Sequence, residues 1–310
     1  MRLAVFHNPE VHASLPAVVL GDGGRVSLAT LFAPVVPAWC GDVMLAIEHL
    51  PEIRQAVASY KGHGEESLEK FSRLPPIPQP RTVRDFYAFE KHVANCRTKR
   101  GLAMDPAWYA QPAFYFSNPL CLVGNDAPVS PPTQCQELDF ELEIALVVGR
   151  RGCNIRAADT FKHVAGFTIL NDLSARDLQR REMSIGLGPA KAKDFATAVG
   201  PDLVTTDELC DHIDKDGRLH LHMSARLNGR EISRGNAADM YFSWPQIVEH
   251  ASRDACLYPG DILGSGTVGT GCILELGPET TGGWLKTGDV VELEIERLGV
   301  LRTPIVARLA

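Results

Sequence analysis

The chain has 310 residues, of which 45% are hydrophobic and 22% are charged, and its formal net charge is -7. A chain of this length and composition can bury a large core. The negative charge, without any block of Lys and Arg, argues against a nucleic-acid partner. No apolar run approaches the roughly 20 residues that a membrane-spanning helix needs, so we expect no membrane partner.

The first seventy-odd residues predict a small separate α+β unit. Two short strands, 17–20 and 25–29, flank a Gly-Asp-Gly-Gly turn. Two short helices, 43–50 and 52–60, are divided at Pro51. Residues 74–81 then contain four prolines, which is typical of an extended connector. We therefore predict a small N-terminal domain over 1–78 and a catalytic domain over 79–310.

The rest of the chain is rich in predicted strands, which do not alternate regularly with helices. Candidate strands are 138–148, 164–170, 219–228, 262–264, 272–276 and 290–297. Candidate helices are 85–97, 175–183 and 244–255. This order disfavours a Rossmann fold or an α/β barrel and predicts an α+β fold built on a large mixed β-sheet roll or sandwich.

Eight cysteines are scattered along the chain without any Cys-x-x-Cys pair. Zinc-finger and thioredoxin-type sites therefore lose their main support. The N-terminus has no long apolar core and no small-residue cleavage site, which argues against a signal peptide. We expect free, mostly buried thiols in a reducing cytoplasm.

The segment 138–148 alternates apolar and acidic side chains, so Asp139, Glu141 and Glu143 share one face of the predicted strand. Carboxylates spaced about 7 Å apart on one face repel each other. Either this face is solvated, or it binds something positive. The segment 290–297 repeats the pattern, and there we expect an ordinary half-exposed strand. The acidic positions of that later strand are Glu292, Glu294 and Glu296.

Asp172 follows the predicted strand 164–170, where a helix is about to begin. One interpretation makes it a helix-entry turn residue. The other joins it to Glu141 and Glu143 in an all-oxygen site, whose hard ligands suit Mg²⁺, Mn²⁺ or Ca²⁺ rather than zinc. Lys193 is either a surface lysine or a group that binds substrate oxygens beside such a site.

The Gly-rich segment 264–271 lacks the Gly-Lys-Ser/Thr ending of a phosphate-binding P-loop. Its glycines instead allow the backbone and Thr267 to approach a ligand. His92, with Asp85 and Phe89 near one face of the predicted helix 85–97, is either structural or catalytic. His220 and His222 form a His-x-His pair without a third ligand in view, which argues against a metal site there.

Four tracts together resemble the fumarylacetoacetate hydrolase superfamily over about residues 80–300. They are the tract from Asp139 to Val148, Leu170-Asn-Asp-Leu-Ser-Ala-Arg-Asp-Leu-Gln179, Lys193-Asp-Phe, and Tyr258-Pro-Gly-Asp-Ile-Leu-Gly-Ser-Gly-Thr-Val-Gly269. Their order and spacing match that superfamily, and the Asn-Asp-x-Ser-Ala-Arg-Asp stretch is its most specific part.

The resemblance implies a role for each matching residue. It implies that a divalent metal, Mg²⁺ or else Mn²⁺ or Ca²⁺, is held by Asp85, Glu141, Glu143 and Asp172. It implies that His92 activates water and that Glu275 orients His92. It implies donors toward developing negative charge, which are Arg100, Gln179 and Lys193. The substrate- or metal-shell positions that it implies are Tyr87, Tyr115 and Thr267.

The activity expected from this resemblance is a metal-dependent hydrolase that cleaves a carbon–carbon bond of a β-diketone or acylpyruvate-type acid. The bond breaks to an enolate stabilised at the metal. The superfamily also implies a small keto-acid substrate, a homodimer and a place in aromatic catabolism. Met183 replaces a tyrosine that contacts substrate in fumarylacetoacetate hydrolases, which argues against fumarylacetoacetate itself. The alternative is a lyase or isomerase of the same superfamily, such as an oxaloacetate decarboxylase, a hydratase or a diketo-deoxy-sugar-acid enzyme.

Overall fold

The computed structural model describes residues 1–10, 12–65, 68 and 70–308. The strands are β1 Arg2–Asn8, β2 Ala13–Val19, β3 Arg25–Ser27, β4 Ser72–Leu74, β5 Val83–Phe86, β6 Phe114–Ser117, β7 Leu122–Val123, β8 Leu138–Asp139, β9 Leu142–Val148, β10 Gly152–Cys153, β11 Val164–Asp172, β12 Ser174–Ala175, β13 Thr197–Thr205, β14 His222–Leu227, β15 Arg230–Asn236, β16 Cys256–Leu257, β17 Ile262–Gly264, β18 Val290–Ile295 and β19 Gly299–Pro304. The α-helices are α1 Leu28–Leu31, α2 Val43–Ala46, α3 Leu50–Ser59, α4 Glu90–Lys99, α5 Arg176–Met183, α6 Trp244–Ala251, α7 Ile273–Leu276 and α8 Pro278–Thr281.

The fold is built on one large mixed sheet and one smaller antiparallel sheet. Within the described residues the large sheet has eleven strands, with the main order β3-β2-β1-β13-β11-β9-β17-β5-β6 and with β4 beside β1 and β7 beside β13. The pairs β17–β5 and β13–β7 are parallel, and the other pairs of this sheet are antiparallel. The smaller sheet has the order β15-β14-β18-β19. The predicted α+β class with a large mixed sheet is confirmed.

Both faces of the central strand β9 are covered, which explains why all of its residues are buried. Leu142, Ile144 and Leu146 belong to an apolar core that also includes residues of the smaller sheet. Ala145 and Val147 face a second core, which they share with residues of the N-terminal segment. Residues that alternate along β9 therefore enter two different cores, as the two-residue period of a strand requires.

The strands of the N-terminal segment are hydrogen-bonded into the same large sheet, because β1 pairs with β13 at Arg2 opposite Val204. The predicted hairpin forms between β2 and β3, and the predicted break at Pro51 falls in the first turn of α3. The division into domains 1–78 and 79–310 stays a prediction.

Most predicted strands beyond the N-terminal segment are confirmed with small shifts of their ends, and 262–264 matches β17. The predicted strand 138–148 is interrupted at Phe140 and Glu141, which lie between β8 and β9. The helices predicted at 175–183 and 244–255 correspond to α5 and α6. Among the described residues, no helix combines the length and the apolar character that crossing a membrane would require.

Two predicted elements are wrong. Asp85 does not begin a helix with His92, because 83–86 forms β5 between β17 and β6, and α4 begins only at Glu90. The segment 272–276 is not a strand, because it contains helix α7. The Asp139 carboxylate accepts hydrogen bonds from the backbone N–H groups of Ile273 and Leu274, which anchors the start of this helix.

The prediction that all cysteines are free thiols is also wrong. Cys153 in β10 and Cys256 in β16 form a disulfide across a two-stranded antiparallel pair. The other cysteines are free, and three of them are buried, namely Cys40, Cys96 and Cys272. The two bridged residues are 103 positions apart, so local sequence does not reveal that they meet.

Candidate active site

Four carboxylates meet at one end of the large sheet. Asp85 lies near the end of β5 and Asp172 at the end of β11. Glu141 immediately precedes β9 and Glu143 is its second residue, and β9 is antiparallel to β11. One oxygen from each residue lies within 4.8 Å of one oxygen from every other, and all four side chains are buried. The acidic face predicted for the first Glu-rich strand is therefore not solvated.

Two buried cations neutralise part of this cluster. Lys193 Nζ lies 2.6 Å from Oε2 of Glu141 and also contacts Oδ2 of Asp172. Arg176 at the start of α5 donates through Nη2 to Oε1 of Glu141 at 2.6 Å and through Nε to Oδ2 of Asp139 at 2.8 Å. Lys193 is thus a buried site residue and not a surface lysine.

The arrangement of oxygens fits a divalent cation. Oδ1 of Asp85 and Oδ1 of Asp172 are buried and have no hydrogen-bond partner. A buried carboxylate oxygen without a partner loses its hydration without compensation, and a bound cation would supply what is missing. Carboxylate oxygens are the donors that Mg²⁺, Mn²⁺ and Ca²⁺ prefer. The four carboxylates could therefore hold such an ion, as the sequence predicted.

The electrostatics of the cluster agree with that fit. Burial, followed by the charge of Asp172, raises the pKa of Asp85 to about 8. Burial and the neighbouring charges of Asp85 and Glu141 raise the pKa of Glu143 well above its ordinary value. Burial opposes ionisation of Glu141 as well, but Lys193 and Arg176 outweigh it and lower the pKa of Glu141. Without another cation, part of the cluster therefore retains protons at neutral pH.

A buried His–Glu pair lies beside the carboxylates. His92 is in α4 and Glu275 in α7, and Nδ1 of His92 lies 2.6 Å from Oε2 of Glu275. The other Glu275 oxygen accepts hydrogen bonds from Nδ2 of Asn95 and from the backbone N–H of Thr270, both at 2.9 Å. With the Cys272 thiol, whose Sγ lies 3.4 Å from Oε2, four donors hold the Glu275 carboxylate. This carboxylate in turn orients the imidazole of His92.

The two members of this pair shift each other's pKa in opposite directions. Burial alone disfavours a charged His92, but contacts with Cys272, Cys96 and Glu275 outweigh it and raise the pKa of His92 well above its ordinary value. Burial also opposes ionisation of Glu275, but the hydrogen bond and the charge of His92 lower its pKa. Such opposed shifts are typical of a group that exchanges protons in an active site.

Both clusters border one cavity of about 580 Å³. Its wall includes every predicted site residue except Asp172 and Glu275. Asp172 contacts Lys193, and Glu275 contacts His92, and both of these partners line the cavity. Arg100, at the end of α4, is exposed and donates through Nε to the backbone oxygen of Cys96 at 3.1 Å. The structure thus brings all the predicted site residues together around a single cavity.

The remaining predicted residues contact the two clusters in different ways. The hydroxyl of Tyr115 donates to Oδ2 of Asp172 at 2.5 Å. Oγ1 of Thr267 donates to Oε1 of Glu143 at 3.4 Å. The ring of Tyr87 packs edge-on against His92, with ring centroids 5.3 Å apart. The Gln179 amide oxygen accepts a hydrogen bond from Nη1 of Arg176 at 2.9 Å.

The Gly-rich segment after β17 approaches the carboxylates as predicted. A Cβ atom at Gly264 would lie 2.5 Å from Oδ1 of Asp85, so a larger residue there would displace that carboxylate. Gly266 has a φ of +80°, and its backbone N–H donates to Oε2 of Glu143 at 3.2 Å. Only glycine combines this backbone conformation with this close approach.

The second Glu-rich strand, β18, differs from the first as expected. Glu292 and Glu294 are half-buried, Glu296 is exposed, and Glu294 pairs with Arg226 on the neighbouring strand. His220 is exposed and contacts Asp214 at 2.9 Å. His220 and His222 belong to neither of the potential metal-binding groups found among the described residues.

Residue-by-residue reasoning missed Arg176, Asp139 and Asn95. Arg176 stands in the specific Asn-Asp-x-Ser-Ala-Arg-Asp stretch, so its presence in that motif was a usable signal. Asp139 belongs to the acidic alternation, but its partners Ile273 and Leu274 lie more than 130 positions away. Asn95 is three residues after His92 on α4, and no motif marks it.

Comparison with known proteins gives one family match over most of the chain. The sequence model of the family described as fumarylacetoacetate hydrolase, C-terminal, matches residues 81–306. A mitochondrial oxaloacetate tautomerase of Homo sapiens is 31% identical over 308 residues, which cover 99% of this chain and 92% of that protein. An oxaloacetate tautomerase of Bacillus subtilis is 31% identical over 243 residues, which cover 77% of this chain and 74% of that protein.

Among solved structures, one named as a probable 2-hydroxyhepta-2,4-diene-1,7-dioate isomerase of Mycobacterium abscessus is similar to this chain. Its sequence is 25% identical, the TM-score is 0.73, and the match covers 100% of both chains. The similarity therefore includes the N-terminal segment, which lies outside the match to the family model.

Proposed function

Because this chain belongs to the fumarylacetoacetate hydrolase family, we propose that it is an enzyme that interconverts the keto and enol forms of a short 2-oxo dicarboxylic acid such as oxaloacetate. The observation that carries the proposal is the His92–Glu275 pair, which lies beside four buried carboxylates at one cavity. The similarity to two oxaloacetate tautomerases supports this reaction over the carbon–carbon hydrolysis that the sequence favoured.

Asp85, Glu141, Glu143 and Asp172 would hold the divalent cation, for which we propose Mg²⁺, with Mn²⁺ or Ca²⁺ as alternatives. When bound, such an ion supplies Lewis acidity that lowers the free energy of negative charge on the 2-oxo group. Tyr115 and Thr267 each hydrogen-bond to one of these carboxylates and would fix its orientation. Second contacts of this kind orient metal ligands in many proteins.

His92 would carry the proton that the substrate carbon gains or loses. Glu275 occupies Nδ1, which leaves Nε2 as the ring nitrogen available to a substrate in the cavity. In the enol-to-keto direction, the enol hydroxyl loses its proton to solvent and the imidazolium form donates a proton to C3. In the reverse direction, the neutral form removes the proton from C3, the oxygen regains a proton from solvent, and Glu275 stabilises the imidazolium ion that results.

The donors around the cavity would bind the negative charge of the substrate. Lys193, Arg100 and Gln179 all border the cavity. Arg176 holds the Gln179 amide oxygen, so the Gln179 amide nitrogen is the group left for substrate. Tyr87, edge-on to His92, would limit how the reacting carbon approaches the imidazole. Removing one donor toward developing negative charge typically raises a barrier by about 2.7–4 kcal/mol.

The direct experiment follows the ultraviolet absorbance of enol oxaloacetate after rapid mixing with the Mg²⁺-loaded protein. We expect the enol to disappear faster than in buffer, with no pyruvate formed, and we expect His92→Ala to abolish most of the acceleration. Formation of pyruvate at the rate of enol loss would instead identify a decarboxylase and would contradict the proposal.

A second candidate is hydrolysis of a longer acylpyruvate or β-diketone acid. The cavity volume, about 580 Å³, lies within the range of sites that enclose drug-sized ligands, and its wall includes Phe86, Phe114 and Leu274. In this reaction His92 would remove a proton from water, and the hydroxide would attack the distal carbonyl. Reaction of acylpyruvates in H₂¹⁸O tests it, because hydrolysis places ¹⁸O in the released acid whereas tautomerisation leaves the carbon skeleton intact.

We also propose a homodimer, a cytoplasmic location and a role in aromatic catabolism, which the family resemblance or the sequence composition suggested. Light scattering of the purified protein tests the first, and a mass equal to that of a single chain would contradict it. Assays of the Mg²⁺-loaded protein with keto acids that arise from aromatic ring cleavage test the role in aromatic catabolism.

A further inference from the structure

Two thiols lie against the His92–Glu275 pair, and the proposed reaction uses neither. Sγ of Cys272 lies 3.4 Å from Oε2 of Glu275. Sγ of Cys96, one turn after His92 on α4, lies 3.8 Å from Nε2 and 3.9 Å from Nδ1 of the imidazole. Donor atoms of His92, Cys272 and Glu275 lie within 4.8 Å of one another. Both cysteines are buried, and neither is bridged.

These donors differ in chemistry from the carboxylate cluster. One imidazole nitrogen, two sulfurs and one carboxylate oxygen suit Zn²⁺ or Cd²⁺, whereas an all-oxygen set suits Mg²⁺. Around a tetrahedral Zn²⁺, with bonds of about 2.3 Å to sulfur and 2.0 Å to nitrogen or oxygen, pairs of donors are about 3.3–3.8 Å apart. The contacts of Cys272 Sγ with Oε2 of Glu275, at 3.4 Å, and of Cys96 Sγ with Nδ1 of His92, at 3.9 Å, are already near those values.

The distance between Nδ1 of His92 and Oε2 of Glu275 would have to increase. It is 2.6 Å with a hydrogen between the two atoms and would lengthen by about 0.7 Å around a metal ion. His92 and Cys96 border the cavity, which provides a route of entry. Coordination would release the hydrogen-bonding proton and the thiol protons to solvent, because thiolates are the ligating form.

We propose that His92, Cys272 and Glu275, with Cys96 as the fourth donor, form a second metal site that takes a thiophilic divalent cation such as Zn²⁺ or Cd²⁺. Occupation of this site stops catalysis, because the ion replaces the proton between Nδ1 of His92 and Oε2 of Glu275, so His92 can no longer form the imidazolium ion that donates to C3. The binding itself depends only on the geometry above, and the inhibition rests on the proposed role of His92.

The test titrates the Mg²⁺-saturated protein with Cd²⁺ and follows the ultraviolet charge-transfer absorbance of cadmium–thiolate bonds together with the rate of enol loss. We expect one equivalent of Cd²⁺ to produce the absorbance and to abolish turnover. Cys272→Ala should lose at least half of the absorbance, because only the Cys96 thiolate remains. Cys96→Ala should weaken binding by at least about tenfold, since even changes at residues that merely contact metal ligands cost about 10–100-fold in metal affinity. Cys210→Ser, at an exposed free cysteine, should behave as the unaltered chain.

The site would be overturned if excess Cd²⁺ produced no thiolate absorbance, or if Cys272→Ala kept the full absorbance. It would also be overturned if excess Mg²⁺ relieved the inhibition by Cd²⁺ and Cys272→Ala left that inhibition unaltered. That last result would place the inhibitory ion among the carboxylates. Absorbance with unchanged turnover would support the site and overturn the role of His92, so the two proposals fail separately. Because Cys272→Ala could perturb this buried position, Cys272→Ser and a melting curve accompany it.

Discussion

Nδ1 of His92 lies 2.6 Å from Oε2 of Glu275, although 183 positions separate the two residues in the chain. The packing of α4 on α7 brings them together. Their distance therefore depends on the fold as a whole and not on any local motif.

The first prediction concerns this pair. His92→Ala should reduce turnover by about 10²–10⁴-fold, the usual contribution of a positioned acid or base. Glu275→Gln should also slow turnover, and the double variant should lose less than the product of the two effects, because members of one catalytic unit are not additive. Steady-state kinetics on enol oxaloacetate measure this. His220→Ala, at an exposed histidine, is the matched control and should retain full activity.

The second prediction concerns pH. The Glu275 carboxylate helps to raise the pKa of His92, so Glu275→Gln should lower that pKa toward its ordinary value. The imidazolium form would then lose its proton at a lower pH. In the enol-to-keto direction, the alkaline limb of kcat/KM should move to lower pH in the variant. A limb that stays in place would show that the titrating group is not His92.

The third prediction concerns metal removal. Asp85 has a folded-state pKa of about 8, against an ordinary value of 3.8, so the folded metal-free chain binds more protons than the unfolded chain between these values. Its stability should therefore fall as the pH rises through this window, by about 1.4 kcal/mol per pH unit for one full proton. Chemical denaturation of the chelated protein measures this. Asp85→Asn should show a shallower decline.

Mg²⁺ should reverse that loss in the unaltered chain, because an ion that binds only the folded state stabilises it by about 2.7 kcal/mol at a concentration of 100 Kd. The same addition should leave the stability of Asp85→Asn nearly unchanged. Full activity of a demonstrably metal-free sample would refute the metal site.

The fourth prediction compares the two Glu-rich strands. Glu141→Ala and Glu143→Ala should each remove Mg²⁺ binding in calorimetry, since both belong to the buried cluster. Glu292→Ala and Glu294→Ala should retain it, and their stability should change little because partly exposed ion pairs contribute about 0–1 kcal/mol. Equal responses on both strands would contradict the distinction drawn between them.

The fifth prediction concerns Arg176, which joins Asp139, Glu141 and Gln179 through its guanidinium group. Arg176→Met should destabilise the fold by about 3–5 kcal/mol, because it leaves buried carboxylates without their partner. Arg176→Lys keeps the charge but cannot reach all three groups, so it should restore only part of the stability. Thermal melting of the two variants tests the difference.

The candidate site could be predicted largely because its residues lie in ordered motifs. The acidic alternation that runs into β9 and the Asn-Asp stretch that begins at the end of β11 are local patterns, and the antiparallel pairing of these strands brings them together. The near-identical alternation in β18 shows the limit of pattern alone. Whether a glutamate face is buried depends on what covers it, which only the fold reveals.

The errors of prediction arose where distant partners decide local structure. The segment 272–276 is short and apolar, and such a run does not distinguish strand from helix. The segment is helical because the Asp139 carboxylate accepts hydrogen bonds from the first backbone N–H groups of α7. The spacing between Asp85 and His92 predicts a helix that contains both residues. Hydrogen bonding of β5 to β17 and β6 instead holds Asp85 in a strand.

The reacting groups and the mouth of the cavity come from different kinds of structure. The carboxylates are buried at the ends of paired strands, whereas Met183, which borders the cavity, is 43% exposed at the end of α5. Exposed substitutions usually change stability by less than about 0.5 kcal/mol. Under the proposed function, variation at Met183 can therefore change which keto acid is accepted, while the buried carboxylates that would hold the metal stay in place.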